Sequence, residues 1–289
     1  YRLLPFITDV ISRECGEFES FADVFAGTGA VSSAYIDKKL ITNDILYSNY
    51  LCHLTWFSNE SFNKTLISEY IEFFNSDLPY ESNYMTENFS NTYFSDKVCS
   101  KIGFVREFIE KEFLKRKINL KEKAMLITSL LYGLDKIANT CGHYDAYRKN
   151  VNFTDGFSLL IPEPNTNLRQ NVCFNCDTND LIKSIESDVV YIDPPYNSRQ
   201  YCDAYHLIEN IARWEKPKVF GVAKKMDRTG LKSEYCTKSA PQAFKDLIEN
   251  IHAKYIVVSY NNMATKGNER SNARISDKDL FETLQSRGN

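Results

Sequence analysis

The feature that most restricts the fold is a short apolar run, residues 189–192, that ends in two consecutive prolines. β-Branched and aromatic side chains fill this run, which is typical of a buried strand. Proline has no backbone N–H to give to a neighbouring strand, so the strand must stop there. The turn that follows is rigid and exposed, and it leaves carbonyl oxygens available. Its residues are Asp193, Pro194, Pro195 and Tyr196.

A second passage from strand to turn lies near the start of the chain. The apolar stretch 18–25 leads into a glycine-rich turn, in which Gly27 and Gly29 permit a tight bend and close approach of a ligand. Asp44, at the end of the next predicted strand, is suited to bind a ribose diol. The turn lacks the third glycine of a dinucleotide site and the Gly-Lys-Ser/Thr of a phosphate loop. This pattern favours S-adenosylmethionine, an adenosine cofactor without phosphate.

Strands and helices alternate in residues 1–45 and again in 171–289. This alternation predicts an α/β fold with a doubly wound, mostly parallel, Rossmann-like sheet. In such sheets ligands bind beyond the carboxyl ends of the strands, where the glycine turn, Asp44 and Asp193 all fall. Predicted helices cover 3–14, 31–38, 178–185, 203–214, 240–252 and 277–286, and predicted strands cover 18–25, 40–45, 172–174, 189–192 and 254–260.

Residues 46–170 differ in character from the two ends. Aromatic, Asn and Ser residues abound, and amphipathic helices are predicted at 100–118 and 121–137. We therefore expect an inserted region that is mainly helical and rich in loops.

Composition excludes several classes of protein. The chain is 43% hydrophobic and 25% charged, with no apolar run near the roughly 20 residues of a membrane span and no secretory signal. Its eight cysteines are scattered, which predicts reduced thiols and a cytoplasmic protein. Cys173 and Cys176 form a lone CxxC without further ligands at comparable spacing, so no metal site is expected.

Charge alone does not identify a nucleic-acid binder, because the net charge is -3. Its distribution is more informative: residues 199–232 carry eight Lys or Arg against four Asp or Glu, directly after the proline turn. Arg213 and Lys232 in this stretch could equally form surface ion pairs.

The proline turn has the chemistry for methylating an exocyclic amine. The Asp193 carboxylate and the Pro194 carbonyl can accept both amino hydrogens, which favours the nucleophilic, sp3-like nitrogen. Tyr196 offers a face on which an extruded base can stack, worth roughly 1–3 kcal/mol, and extrusion is required because chemistry on a paired base cannot occur inside a duplex. The same chemistry would suit adenine N6 or cytosine N4.

Residues 23–29, 43–45 and 190–196, in this order, resemble the motifs of the adenine-specific DNA methyltransferases of the alpha or D12 class, which includes the Dam-like enzymes. Residues 193–201 and 214–217 are similar to methylases that accompany type IIS restriction enzymes. The resemblance implies S-adenosylmethionine-dependent methylation of N6 on a flipped adenine in double-stranded DNA. It also implies a target-recognition role for 46–170 and functional pairing with a restriction endonuclease, without requiring a physical complex.

Other functions stay open at this point. They are N4-cytosine DNA methylation, RNA adenine methylation, a catalytically idle DNA-binding module and a nicotinamide oxidoreductase.

The resemblance further implies two termini that extend past this sequence: a motif upstream of Tyr1 and a closing antiparallel strand pair after the last helix.

The resemblance assigns residues to three roles. Asp177 would accept from the cofactor adenine, although a helix cap explains it equally well. The segment 142–149 resembles a DNA-contacting segment, although surface packing would also account for it. The expected catalytic residues are Asp193, Pro194, Pro195 and Tyr196; the expected cofactor residues are Asp23, Phe25, Ala26, Gly27, Thr28, Gly29, Asp44, Asp177 and Asp193; the expected DNA contacts are Tyr144, Arg148, Arg199, Lys224, Lys225 and Arg228.

Overall fold

A computed structural model describes residues 2–165, 169–261 and 272–288. The chain forms two compact units. The first, here called the sheet unit, comprises Tyr1–His53, Asn165–Tyr201 and Gly230–Asn289. The second, the helical unit, comprises Leu54–Pro164 and Cys202–Thr229. Residues 1–7 resemble the end of the family's N-terminal cofactor motif, and the first of them, Tyr1, lies outside the described residues.

The sheet unit contains a five-stranded parallel sheet with the order β3-β2-β1-β4-β5. The order reverses between β1 and β4, because the chain first builds outward to β3 and then returns to the other side of β1. This arrangement confirms the predicted α/β class and places a topological switch point beside β1. The strands are β1 Ser20–Asp23, β2 Lys39–Asn43, β3 Val172–Phe174, β4 Glu186–Ile192 and β5 His252–Val258.

Helices make up most of the remaining regular structure in the described residues. They are α1 Leu4–Cys15, α2 Tyr47–Phe57, α3 Lys64–Asn75, α4 Tyr84–Phe89, α5 Asp96–Leu114, α6 Leu120–Asp135, α7 Thr178–Leu181, α8 Tyr201–Ala204, α9 His206–Arg213, α10 Ala240–Asn250 and α11 Asp277–Gln285. Short 3-10 turns lie at 32–35, 182–184, 229–231 and 234–236. No helix in the described part of the chain is long and apolar enough to cross a membrane.

Apolar packing fixes the sheet unit. β1 and β4 give buried side chains on alternate positions, and the apolar face of α10 packs against one side of the sheet. Buried members of this core include Ala22, Val190, Ile192, Phe244 and Leu247.

Strand register brings polar residues into one row. Asp23 is the register partner of Thr42 on β2 and of Tyr191 on β4. Register partners in a parallel sheet point to the same face, so these three side chains lie side by side, one row short of the carboxyl edge. All three are buried.

Side-chain caps define the helical unit locally. Asn119 and Glu122 form a reciprocal capping box at the start of α6, and Ser95 caps α5. The fully buried Arg106 of α5 donates from Nε to the carbonyl oxygen of Ile211 at 2.7 Å. It thereby satisfies a carbonyl in the last turn of α9.

Several predicted elements differ from the observed ones. The helix predicted at 31–38 is a single 3-10 turn, in which Tyr35 stacks on Phe21 with ring centroids 4.3 Å apart. The helix predicted at 203–214 is divided into α8 and α9 because Tyr205 leaves the helical region, with φ -116° and ψ 20°. Residues 202–229 fall in the helical unit, whereas the predicted catalytic domain ran without interruption over 171–289.

Candidate active site

The glycine turn after β1 is held by a carboxylate from β2's end. Gly27 and Gly29 have φ of 55° and 84°, in the left-handed region that favours glycine. The Gly27 N–H donates to Asp44 Oδ2 at 3.0 Å, and the Leu46 N–H donates to Asp44 Oδ1 at 2.8 Å. Asp44 therefore shapes the turn while the remaining lone pairs of its oxygens can still accept from a ligand.

A buried histidine supports the same turn from α2. His53 Nε2 lies 2.8 Å from the carbonyl oxygen of Gly27, which can only accept, so Nε2 carries the proton. Burial lowers the pKa of His53 to about 4. The ring is therefore neutral at neutral pH and serves as a structural hydrogen-bond donor.

Asn43 joins three segments at the carboxyl edge of the sheet. Its side-chain nitrogen lies within 3.2 Å of the carbonyl oxygens of Val24 and Cys176, and its Oδ1 accepts from the Cys176 N–H at 3.2 Å. The Thr178 hydroxyl donates to the same Val24 carbonyl at 2.9 Å. Because Asn43 is fully buried, these bonds fix residues 176–178 against the end of β1.

Asp23 is a buried carboxyl at the end of β1. Its side chain is 1% exposed; Oδ2 accepts from the Ser32 hydroxyl at 2.8 Å, while Oδ1 has no hydrogen-bond partner among the described residues. Desolvation raises the pKa of Asp23 to about 7, and the charges of Asp193 and Asp44 add to the rise. An unmatched buried acid of this kind favours a cationic ligand.

The proline turn follows β4 directly. Asp193 is accessible to solvent, yet surrounding protein atoms raise the pKa of its carboxyl to about 6 by desolvation, opposed by a hydrogen bond from the Ser259 hydroxyl. The Tyr196 carbonyl accepts from the Arg274 N–H at 2.8 Å and from the Tyr260 hydroxyl at 3.4 Å. The turn is therefore tied to the segment after β5.

Reciprocal bonds fix the residues after the turn. The Gln200 side chain donates to the Ser233 carbonyl at 3.0 Å and accepts from the Ser233 N–H at 2.8 Å. The Cys236 thiol donates to the carbonyl of Arg199 at 3.3 Å. The Arg199 side chain is exposed, so this predicted DNA contact lies on the surface of the sheet unit.

The residues predicted to bind cofactor thus meet at one edge of the sheet. The glycine turn, Asp44, Asp23 and Asp193 lie at or next to the carboxyl ends of β1, β2 and β4. The donor set is acidic and contains no phosphate-binding lysine, which fits S-adenosylmethionine, whose sulfonium and ammonium groups are positive. The orphaned Asp23 oxygen is consistent with that fit.

Asp177 and Phe25 occupy positions beside this edge. Asp177 is exposed, and its Oδ1 caps α7 by accepting from the Asn179 N–H at 2.8 Å. Asp177 therefore does cap α7. Its contact with the cofactor adenine, through Oδ2, stays a prediction. The Phe25 ring packs edge-on against Tyr235, with centroids 5.1 Å apart.

Tyr144 differs from its expected role. Its side chain is 2% exposed, and its hydroxyl donates to Asp135 at 3.3 Å. Its backbone carbonyl accepts from the Tyr93 hydroxyl at 2.6 Å and from His206 Nε2 at 2.7 Å. Tyr144 therefore anchors the segment 142–149 inside the helical unit, and its phenol is not presented to a nucleic acid.

The four basic residues predicted to contact DNA from the helical unit fall into two groups, those that form ion pairs and those that do not. Lys225 contacts Asp145, and Arg228 Nε donates to Asp203 at 2.7 Å. The side chains of Arg148 and Lys224 make no ion pair within the described residues, and Arg148 is exposed. Local charge counting could not separate the two pairs, because the neutralising acids are distant in sequence.

The structure adds residues that sequence reasoning missed. Asn43, Thr178, Gln200 and Ser259 hold the edge together through side-chain hydrogen bonds. The sequence could have indicated a structural role for Asn43, because an amide buried at the end of an apolar strand is costly unless it is hydrogen-bonded. The others lie in polar stretches, where nothing in the pattern distinguishes them.

Comparisons with known proteins agree with this site. A family profile described as D12 class N6 adenine-specific DNA methyltransferase matches residues 1–270. The chain is 36% identical to Modification methylase StsI of Streptococcus sanguinis, over 98% of the chain and 45% of that protein. It is 31% identical to Type II methyltransferase M.FokI of Planomicrobium okeanokoites, over 98% of the chain and 47% of that protein.

A shorter relative matches as well. Type II methyltransferase M.NlaIII of Neisseria lactamica is 34% identical over 84% of the chain and 75% of that protein. The chain spans about half the length of the StsI and FokI relatives.

Proposed function

The chain belongs to the D12 class of N6 adenine-specific DNA methyltransferases, and on that basis we propose that it methylates N6 of an adenine in double-stranded DNA, with S-adenosylmethionine as methyl donor. The observation that carries the proposal is the position of Asp193. Its carboxylate follows β4 immediately before Pro194, at the same sheet edge as the glycine turn and Asp23.

Substrate activation is the task of the proline turn. In this proposal the Asp193 carboxylate and the Pro194 carbonyl accept the two amino hydrogens of the extruded adenine, while Tyr196 stacks on the base. With the cofactor bound, the amine nitrogen would accept the methyl group as the cofactor's carbon–sulfur bond breaks, and the proton that the nitrogen then loses would pass to solvent. The chain's contribution is positioning and hydrogen bonding, so no general base is needed before transfer.

Cofactor binding is assigned to the acidic edge. S-adenosylmethionine would supply an electrophilic methyl group on a positive sulfonium. Asp44 is suited to its ribose hydroxyls and Asp177 to its adenine amino group, while the turn from Phe25 to Gly29, with Ala26 and Thr28, offers backbone close to the ligand. The carboxyl of Asp23, which has one unpartnered oxygen, suits the positive end of the cofactor.

DNA binding is assigned to both units. Arg148 and Lys224 in the helical unit are well placed for phosphates, because neither side chain forms an ion pair within the described ranges. Arg199 in the sheet unit is proposed as a further contact because its side chain is exposed directly after the proline turn. We further propose that the helical unit recognises the target, and that the enzyme acts in the cytoplasm as the modification arm of a restriction–modification system. The names of the relatives support that role.

The decisive experiment identifies the modified base. The 289-residue chain is incubated with methyl-labelled S-adenosylmethionine and mixed-sequence double-stranded DNA, and the DNA is digested to nucleosides. We expect label in N6-methyl-2′-deoxyadenosine. Label in N4-methyl-2′-deoxycytidine, label only when RNA replaces DNA, or no transfer to nucleic acid would overturn the proposal.

A further inference from the structure

The strand register explains why Ser259 lies beside Asp193, the proposed catalytic carboxylate. Ile192 and Val258 are register partners at the ends of β4 and β5, so the next residues along, Asp193 and Ser259, are also neighbours. The Ser259 N–H donates to the Ile192 carbonyl at 2.9 Å. The sheet ladder thus continues one residue past the last strand pair and fixes the Ser259 backbone next to Asp193.

The Ser259 side chain faces two groups on β4. Its hydroxyl lies close enough to the Asp193 carboxyl and to the Tyr191 phenol to lower the pKa of each group. Tyr191 is 1% exposed, and its hydroxyl has no hydrogen-bond partner within normal distance among the described residues. The phenol is held in place by stacking on Phe21, with ring centroids 6.3 Å apart.

We propose that Ser259 is the positioning residue for Asp193: its hydroxyl donates to one carboxylate oxygen, so that the other oxygen faces the amine of the substrate. This inference rests on the proposed function. A hydroxyl has one hydrogen, so the Ser259 hydroxyl can donate to only one of its two neighbours, Asp193 and Tyr191, at a time, and the carboxylate is the stronger acceptor.

The charged and titratable groups around Asp193 come from three strands. Asp23 lies at the end of β1, Tyr191 lies on β4 itself, and Asp44, which follows β2, acts on Asp23. The charges of Asp23 and Asp193 repel each other, whereas the Ser259 hydroxyl favours the charged form of Asp193. Removal of the Ser259 hydroxyl deletes a group that favours the charged carboxylate, so protonation of Asp193 should occur at higher pH.

The test uses the pH dependence of methyl transfer. In Ser259→Ala we expect kcat/KM at pH 6 to fall about tenfold and at pH 8 about threefold, with the acid limb moved to higher pH. Ser259→Thr keeps the hydroxyl and should restore most of the activity. A loss by one factor at every pH, or no recovery in Ser259→Thr, would overturn the proposal.

A second measurement needs neither DNA nor turnover. Carbon-13 NMR of aspartate-labelled protein follows the titration of the Asp193 carboxyl, which Asp193→Asn identifies. We expect the Asp193 signal to titrate at higher pH in Ser259→Ala than in the parent protein. If the parent protein fails to methylate adenine but this shift occurs, the proposed function fails and the contact stands; if the titration is unchanged, the positioning role fails.

Discussion

Charge is arranged in opposite ways at the sheet edge and in the basic stretch of the helical unit. At the edge, Asp23 and Asp193 have no ion pair within the described residues, and the pKa of each carboxyl is raised. In the helical unit, Lys225 and Arg228 are neutralised by Asp145 and Asp203. The first region retains uncompensated charge that a ligand can match, whereas the second uses much of its charge to hold its own segments together.

The largest expected effect comes from the edge. Asp193→Ala removes an acceptor that only the transition state uses fully, so kcat should fall by about 10³-fold or more while cofactor affinity largely survives. Single-turnover methylation and equilibrium binding of S-adenosylmethionine measure the two quantities. Glu282→Gln, an exposed acid on α11, is the matched control and should retain activity. Activity within tenfold of the parent in Asp193→Ala would remove the proposed role.

A smaller effect separates the two kinds of cation in the helical unit. Lys224→Gln and Arg148→Gln should each weaken DNA binding several-fold and lower the slope of log affinity against log salt by about 0.9, because each removes one phosphate contact. Lys225→Gln should leave that slope unchanged and mainly lower stability, because it uncovers Asp145. Equal slope changes in Lys224→Gln and Lys225→Gln would show that ion pairing does not distinguish them.

The smallest effect is one of stability. The folded pKa of Asp23 is raised, so its ionisation costs folding free energy that grows from about pH 4 upward and is complete above about pH 7, and only a small part of the cost remains at pH 4, near the unfolded pKa. Asp23→Asn should therefore raise Tm by about 5 °C at pH 8, corresponding to about 2 kcal/mol, with little change at pH 4.

Asp188 provides the opposite control for that measurement. It accepts from the Glu19 and Ser20 N–H groups and from the Ser20 hydroxyl, each at 2.9 Å, and these bonds lower the pKa of its carboxyl. Asp188→Asn should lower Tm at pH 8. Thermal unfolding followed by circular dichroism measures the Tm of both variants. A lower Tm at pH 8 in Asp23→Asn would contradict the expected cost of the buried Asp23 charge.

Sequence reasoning located the edge well because its signals are local. Glycines at 27 and 29, the acid at 44 and the prolines after 193 each impose a backbone constraint that a short pattern reveals. The five predicted strands are present, with no end shifted by more than three residues. α2, α3 and α4 were not predicted. α2 is buried on several faces and α4 has only six residues, whereas α3 does carry Ile67, Ile71 and Phe74 at helical spacing.

The helical unit was harder because its organisation depends on distant pairs. Lys225 reaches Asp145 across 80 positions, and Tyr144 is buried by contacts with Tyr93 and His206. Counting the charges within a short stretch of sequence detects neither of these contacts. The proposed DNA contacts therefore rest on exposure and pairing, which only coordinates supply.

The reciprocal bonds between Gln200 and Ser233 close the chain on itself around residues 202–229. The two ends of this excursion meet at one pair of residues, while its interior side chains, among them His206, Leu207 and Ile211, are buried in the helical unit. An insertion or deletion between Gln200 and Ser233 would therefore have to preserve both the closing bonds and these buried side chains.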